Sequence, residues 1–262
     1  MAKRLRIGLI GSGNVAWHLG PALENAGHHL VGLYSPTPKN AKALQKRLYE
    51  AQLLEEPDFT GVRPDVLIMA VKDDAIPYAT GEAIVGNNTL LVHTSGSKPL
   101  SALGYASTTR RGVFYPLQTF SKDRKIDLQQ VPILVEAEHP EDERLLLGLG
   151  KSISKQVTSI SSADRAKLHV SAVFACNFTN HLLTISQQIM RNERLDFSLL
   201  KPLIAETLSK SLEIGPENSQ TGPAVRGDVE TLEKHMQFLE RAPKLAEIYQ
   251  KLSQHILDMY TP

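Results

Sequence analysis

Apolar residues in the first part of the chain come in short continuous runs rather than in strict alternation. The runs at 5–10, 29–34, 65–71, 89–93, 112–115 and 132–136 are rich in Val, Ile and Leu. Runs of this length suit strands buried on both faces. Between the early runs lie helical patterns at 14–26, 38–50 and 74–83. Repeated strand–helix units of this size predict an α/β fold with a parallel, doubly wound sheet. After about Ser161 the period becomes helical throughout. The stretch 161–192 reads as one long helix capped by Ser162, with Val170, Val173, Phe174, Phe178 and Leu182 at three- and four-residue steps. Further helical patterns follow at 199–214, 229–239 and 243–260. The pattern predicts a sheet domain over 1–158 and an all-α domain over 159–262. The long helix is apolar on more than one face, which predicts a partner surface.

The first apolar run stops at Gly11-Ser12-Gly13-Asn14-Val15-Ala16, the pattern G-x-G-x-x-A. Gly11 allows a tight turn, Gly13 lets the backbone approach a pyrophosphate, and Ala16 lets the helix pack close on the strand. The N-terminal amides of that helix would face the phosphates. A strand before the turn, a helix after it and a second strand at the expected distance predict a dinucleotide site at Gly11, Ser12, Gly13, Asn14 and Val15. A tight bend without a ligand is the competing reading. Gly20-Pro21 inside the same helix predicts a kink or an early end. Trp17 reads as core or interface packing. The second strand runs into Tyr34-Ser35-Pro36-Thr37-Pro38-Lys39, with no carboxylate to hold ribose hydroxyls. Ser35, Thr37 and Lys39 suit a 2′-phosphate instead, which favours NADP(H) over NAD.

The carboxyl ends of parallel strands line the ligand crevice of such a sheet. One end carries Ala70-Val71-Lys72-Asp73, whose backbone should pass the nicotinamide side of the cofactor. Asp73 or Asp74 is expected to cap the next helix. Another end carries His93-Thr94-Ser95-Gly96-Ser97. His93 and Ser95 are candidates for direct chemistry, with His93 a proton donor by residue type. The other reading is that these polar groups only satisfy loop amides. Gln118 and Thr119 are weaker candidates nearby. On the long helix, His169, Asn177 and His181 share one side. Arg226 precedes Asp228, an expected helix N-cap, in a Thr-Gly-Pro turn that suits an anion site. Asn177 and Arg226 therefore join His93 and Ser95 as expected pocket residues. No Cys/His spacing suits a metal.

Composition narrows the classes. The 262 residues carry a formal net charge of +1 and a single cysteine. No basic stretch marks a nucleic-acid face, and no apolar run reaches membrane-spanning length. The N-terminus lacks the features of a signal segment. One cysteine allows no internal disulfide, and Cys176 reads as a small buried hydrophobe. A soluble cytoplasmic protein acting on a small molecule is expected, with no nucleic acid and no membrane as partner.

The Gly11–Ala16 loop, HTSG at 93–96, PLQTF at 116–120, HVSAVFACNF at 169–178 and TGPAVRGD at 221–228 occur in this order over nearly the whole chain. On these motifs the chain resembles a short-subunit dehydrogenase-like oxidoreductase family, in which a Rossmann domain precedes a helical domain of unknown function. Pyrroline-5-carboxylate reductases, deazaflavin-dependent NADP reductases and 3-hydroxyacid dehydrogenases are its wider relatives. The resemblance implies a dimerisation domain of the 6-phosphogluconate dehydrogenase C-terminal-like type. It also implies a homodimer formed through that domain, with NADP(H) in the cleft between domains. The catalytic Lys and Asn of the hydroxyacid dehydrogenases do not carry over, because Val173 stands one turn before Asn177. Tyr115 stands where family members often carry His. The reading is an NADP(H)-dependent oxidoreductase for a small carbonyl or imine compound. A non-catalytic NADP-binding sensor or scaffold is the alternative.

Overall fold

The computed structural model describes residues 4–260. The chain divides into two compact units, residues 1–180 and 181–262.

The first unit is built on one eight-stranded sheet. Its strands are β1 (Arg6–Ile10), β2 (His29–Tyr34), β3 (Gln52–Leu53), β4 (Val66–Met69), β5 (Leu90–His93), β6 (Arg111–Pro116), β7 (Ile133–Ala137) and β8 (Val157–Ser159). They lie in the order β3-β2-β1-β4-β5-β6-β7-β8. Every neighbouring pair is parallel except β6 and β7. That reversal departs from the expected all-parallel sheet. The connection from β6 to β7 contains only one short 3-10 turn at Leu128–Gln130 and no crossover helix. A parallel return needs such a crossover.

The strand order reverses between β1 and β4, so the crevice opens beyond Ile10 and Met69. The two faces of the sheet bury alternate residues. Leu9, Ile68, Val92 and Phe114 pack on one face with Leu19 and Leu23 of α1 (Asn14–Asn25). Leu146 and Leu149 of α4 (Pro140–Ile153) join them. Ile10, Leu67, Met69 and Leu91 pack on the other face with Ile76 of α3 (Ile76–Glu82). Each fully buried Leu or Ile contributes about 1.5–3 kcal/mol. Helix α2 (Pro38–Gln45) is shorter than its apolar pattern suggests. Helix α4 and strands β3 and β8 are additions to the expected elements. Proline at the start of α4, with acidic residues in its first turn, is a legible helix-start signal.

Helix α1 continues through Pro21 to Asn25 without the expected early end. The long helical run is α5 (Ser162–Ala172), a π-helical turn at Val173–Phe178 and α6 (Thr179–Asn192). Its cap is Ser161, not Ser162: the Ser161 hydroxyl accepts from the Asp164 amide at 3.1 Å. Ser162 is occupied instead by Glu136. The second unit continues through α7 (Lys201–Ile214), α8 (Pro216–Ser219), α9 (Val229–Phe238) and α10 (Pro243–Tyr260). None of α6, α7, α9 and α10 contains a buried residue. Among the described residues, no helix is long and apolar enough to cross a membrane.

Candidate functional site

The glycine turn is shaped by two different demands. Gly11 has φ +103°, and a Cβ there would lie 2.3 Å from the Ala70 carbonyl oxygen. The turn therefore requires glycine at that position, whatever it binds. Gly13 has φ −75°, which any residue adopts, and a Cβ there would meet nothing nearer than 4.0 Å. The protein itself does not require glycine at 13. A ligand lying against that backbone would. Gly13 is also the N-cap of α1, and with no side chain of its own it makes no cap hydrogen bond to the helix's first amides. These are the features of a phosphate cradle.

Neighbouring elements hold the cradle. Asn14 donates through Nδ2 to the Phe120 carbonyl at 2.9 Å, and His18 Nε2 lies 2.9 Å from the Ser121 carbonyl. The segment after β6 is thus fastened to the start of α1. Ser12 is buried and its hydroxyl lies 2.8 Å from that of Ser35. The cradle is thereby linked to the end of β2, where Ser35, Thr37 and Lys39 gather. Thr37 and Lys39 are exposed, and Lys39 makes no ion pair among the described residues.

At the end of β4, the Ala70 amide donates to the Ile10 carbonyl at 2.8 Å, which holds Ala70 against the turn. Val71 and Lys72 follow it. Lys72 is the N-cap of the next 3-10 turn, and no side chain caps that turn, so neither Asp73 nor Asp74 takes the expected capping role. Asp73 accepts from the Ser97 hydroxyl at 2.6 Å, and Asp74 pairs with Lys98 at 3.3 Å. Both carboxylates tie the β4 end to the β5 end.

His93 does not have the geometry expected of a proton donor. Its side chain is fully buried. Nδ1 accepts from the Ser95 amide at 3.1 Å, and Nε2 lies 3.3 Å from the Pro99 carbonyl, to which it donates. Burial, with the Arg165 guanidinium adding to it, brings its pKa down to about 4. A neutral ring with both nitrogens engaged holds the 93–99 loop. Ser95 is likewise buried, and its hydroxyl accepts from the amides of Ser97 and Lys98 at 3.2 and 3.0 Å.

A different pair stands at this edge. Tyr115, at the carboxyl end of β6, places its hydroxyl 3.1 Å from Nδ1 of His169 on α5. The rings meet edge-on, with centroids 6.0 Å apart. A Cβ at Gly96 would lie 2.6 Å from both His169 Nδ1 and Tyr115 Cζ, so a side chain there would force the two rings to shift. Helix α5 is set by Arg165, which is fully buried, pairs with Glu136 and donates to the Lys98 carbonyl at 2.6 Å. A cation in the first turn of a helix opposes the helix dipole and is the one sequence signal of this buried pairing. Asn177 and Cys176 lie in the π-helical turn, and both are exposed, so Cys176 is not the buried residue expected. In the second unit, Asp228 caps α9 as expected, accepting from the Thr231 amide at 3.1 Å. Arg226 is exposed between Gly222 (φ +118°) and Gly227 (φ +63°). His181, Gln118 and Thr119 are exposed.

Known proteins share this architecture. A Rossmann-like domain matches residues 1–118, and a domain of unknown function, DUF2520, matches residues 131–256. A Bacteroides fragilis protein of known structure is 34% identical and superposes with a TM-score of 0.90, covering 98% of this chain and 100% of its own. The chain belongs to the family that joins a Rossmann-like domain to a DUF2520 domain. This family member from Bacteroides fragilis is provisionally named an NADP oxidoreductase. A Thermotoga maritima protein is 21% identical over 97% of this chain and 98% of its own, with a TM-score of 0.72. Beyond the family, the fold extends to a pyrroline carboxylate reductase from Plasmodium falciparum, solved with NADP bound. That enzyme is 16% identical over 98% of this chain and 100% of its own, with a TM-score of 0.57. No curated protein matches the chain.

Proposed function

We propose that the protein is an NADP(H)-dependent oxidoreductase for a small carbonyl or imine compound. The observation that carries this reading is Gly13: an uncapped helix start whose missing side chain no protein neighbour demands. The provisional name of its 34% identical relative supports the same cofactor class. A bound nicotinamide supplies or accepts the hydride, and the chain's own residues bind and orient it. Gly11, Ser12, Gly13, Asn14 and Val15 hold the pyrophosphate, and the 70–73 backbone lies toward the nicotinamide. Ser35, Thr37 and Lys39, which makes no ion pair among the described residues, take the 2′-phosphate, since no carboxylate stands there to repel it. Calorimetry with NADPH and NADH, followed by NADPH absorbance across a panel of small ketones and cyclic imines, tests the reading. Tight NADPH binding with consumption on one panel member supports it. Binding without consumption on any member leaves a sensor or scaffold.

We further infer that a second copy of the chain covers the helical surface. Val170, Phe174 and Phe178 are 56%, 65% and 48% exposed on the long helical run, and Leu203 and Leu212 are 63% and 88% exposed on α7. Apolar surface of this extent marks an interface. Light scattering should give twice the chain mass, falling to one chain in Phe174→Glu. A monomer at high concentration overturns the dimer.

A further inference from the structure

We propose that Tyr115 and His169 form the proton-delivery pair of this site, with Tyr115 giving the proton to the substrate and His169 restoring it. The inference rests on the oxidoreductase reading above. Its geometric basis is independent of any cofactor. Strand β6 is parallel to β5, so Tyr115 emerges at the same edge as His93 and Ala70. Its hydroxyl lies 3.1 Å from His169 Nδ1. Both side chains stay partly exposed, whereas His93 is sealed and both its nitrogens are engaged. Gly96 is the close neighbour that lets the two rings meet, since any Cβ there would occupy their contact at 2.6 Å. The pair is thus a built arrangement spanning β6, the loop after β5 and α5.

The charged groups around the pair come from each packed element. Asp73 lies beyond β4, Arg165 one turn before His169 on α5, Glu136 on β7 and Lys98 on the loop after β5. Burial first, and then the Asp73 carboxylate, raise the Tyr115 pKa, while Arg165 opposes them. A phenol so held stays protonated at neutral pH and is available as an acid.

In the reductive direction, the carbon of C=O or C=N takes the hydride that a reduced nicotinamide would supply as it is oxidised, and the π pair of that bond moves to the oxygen or nitrogen. The Tyr115 O–H bond breaks, and its proton passes to the substrate oxygen or nitrogen. His169 then passes a proton from Nδ1 to the phenolate oxygen and regains one from solvent. In the oxidative direction each transfer reverses.

The test compares the whole protein with Tyr115→Phe and His169→Gln. Saturating NADPH is used, with 1-pyrroline as the imine probe and cyclohexanone as the ketone probe. NADPH affinity should stay within about twofold in both variants, which also reports that they fold. Tyr115→Phe should lose about 100-fold in kcat with little change in KM, within the range of general acid catalysis. His169→Gln should also lower kcat with little change in KM, and added imidazole should restore part of the loss. In the NADPH complex, the Tyr115 13Cζ resonance should differ between wild type and His169→Gln, because the contact of the hydroxyl with Nδ1 is lost. A probe reduced equally well by wild type and Tyr115→Phe overturns the pair and leaves the oxidoreductase reading standing. A Tyr115 resonance unchanged by His169→Gln overturns the pair whether or not a probe is reduced. Wild-type protein that binds no NADPH, or binds it and reduces neither probe nor any member of the wider ketone and imine panel, overturns the oxidoreductase reading and with it the pair's catalytic role.

Discussion

The carbonyl of Trp17 accepts a hydrogen bond at 2.8 Å from Nη1 of Arg47. That carbonyl is the one Pro21 leaves without a helical partner, because proline has no N–H to donate. The same guanidinium lies 4.2 Å from the centre of the Trp17 ring. The side chain from beyond α2 thus supplies the missing donor and stacks on the residue that needed it. Arg47→Ala should cost about 1–2 kcal/mol in chemical denaturation, as a hydrogen bond and a cation–π contact are lost together. Replacing Pro21 by Ala in that background should recover part of the loss, since the carbonyl regains a helical donor. An Arg47→Ala protein as stable as wild type would show that the carbonyl is satisfied by water alone.

The two glycines of the turn should respond differently to alanine. Gly11→Ala places a Cβ against the Ala70 carbonyl at a positive φ and should cost about 2–4 kcal/mol of stability. Gly13→Ala meets no close atom and should leave the denaturation midpoint nearly unchanged. It should weaken NADPH at least tenfold, or about 1.4 kcal/mol. Equal NADPH affinity in Gly13→Ala and wild type would remove the argument for a cradle at this turn.

Ser35→Asp tests the choice of cofactor. A carboxylate beside Ser12 should repel a 2′-phosphate and accept the ribose hydroxyls instead. NADPH affinity should fall and NADH affinity should rise, each by calorimetry. Unmodified protein that binds both cofactors equally would contradict the assignment of Ser35, Thr37 and Lys39.

His93 sets a stability loss in acid. Its pKa is depressed from 6.5 to about 4 in the folded protein, chiefly by burial. The unfolded chain therefore takes up the proton first as pH falls. The stability conferred by the neutral ring is complete above about pH 6.5 and drains away toward pH 4. At about 1.4 kcal/mol per unit, the loss approaches 3 kcal/mol. Denaturation midpoints across that range should fall steeply in wild type and less steeply in His93→Asn, whose amide keeps one donor and one acceptor. Parallel slopes in the two proteins would show that other groups carry the acid sensitivity.

The parallel strands, the glycine turn and the hydroxyl-rich end of β2 were legible in the sequence because each depends on residues close together in the chain. Continuous apolar runs report burial on both faces of a sheet, and the first glycine of the G-x-G turn reports a backbone with no room for a side chain. The cap at Ser161 was not read, since Ser161 and Ser162 have the same capping propensity, and the antiparallel return of β7 was not read, since it follows from a connection that holds no crossover helix. The site's polar chemistry was the least legible part. His93 titrates near neutrality as a free residue, and only the sheet's closure over it makes it neutral and structural. Tyr115 and His169 are 54 positions apart, and nothing in either local sequence aims one at the other. Their meeting depends on Arg165 docking α5 on Glu136 and on Gly96 leaving space between the rings. Local sequence determined which elements form. Long-range packing decided which side chains meet at the carboxyl edge of the sheet, because desolvation and contact distance are properties of the assembled fold alone.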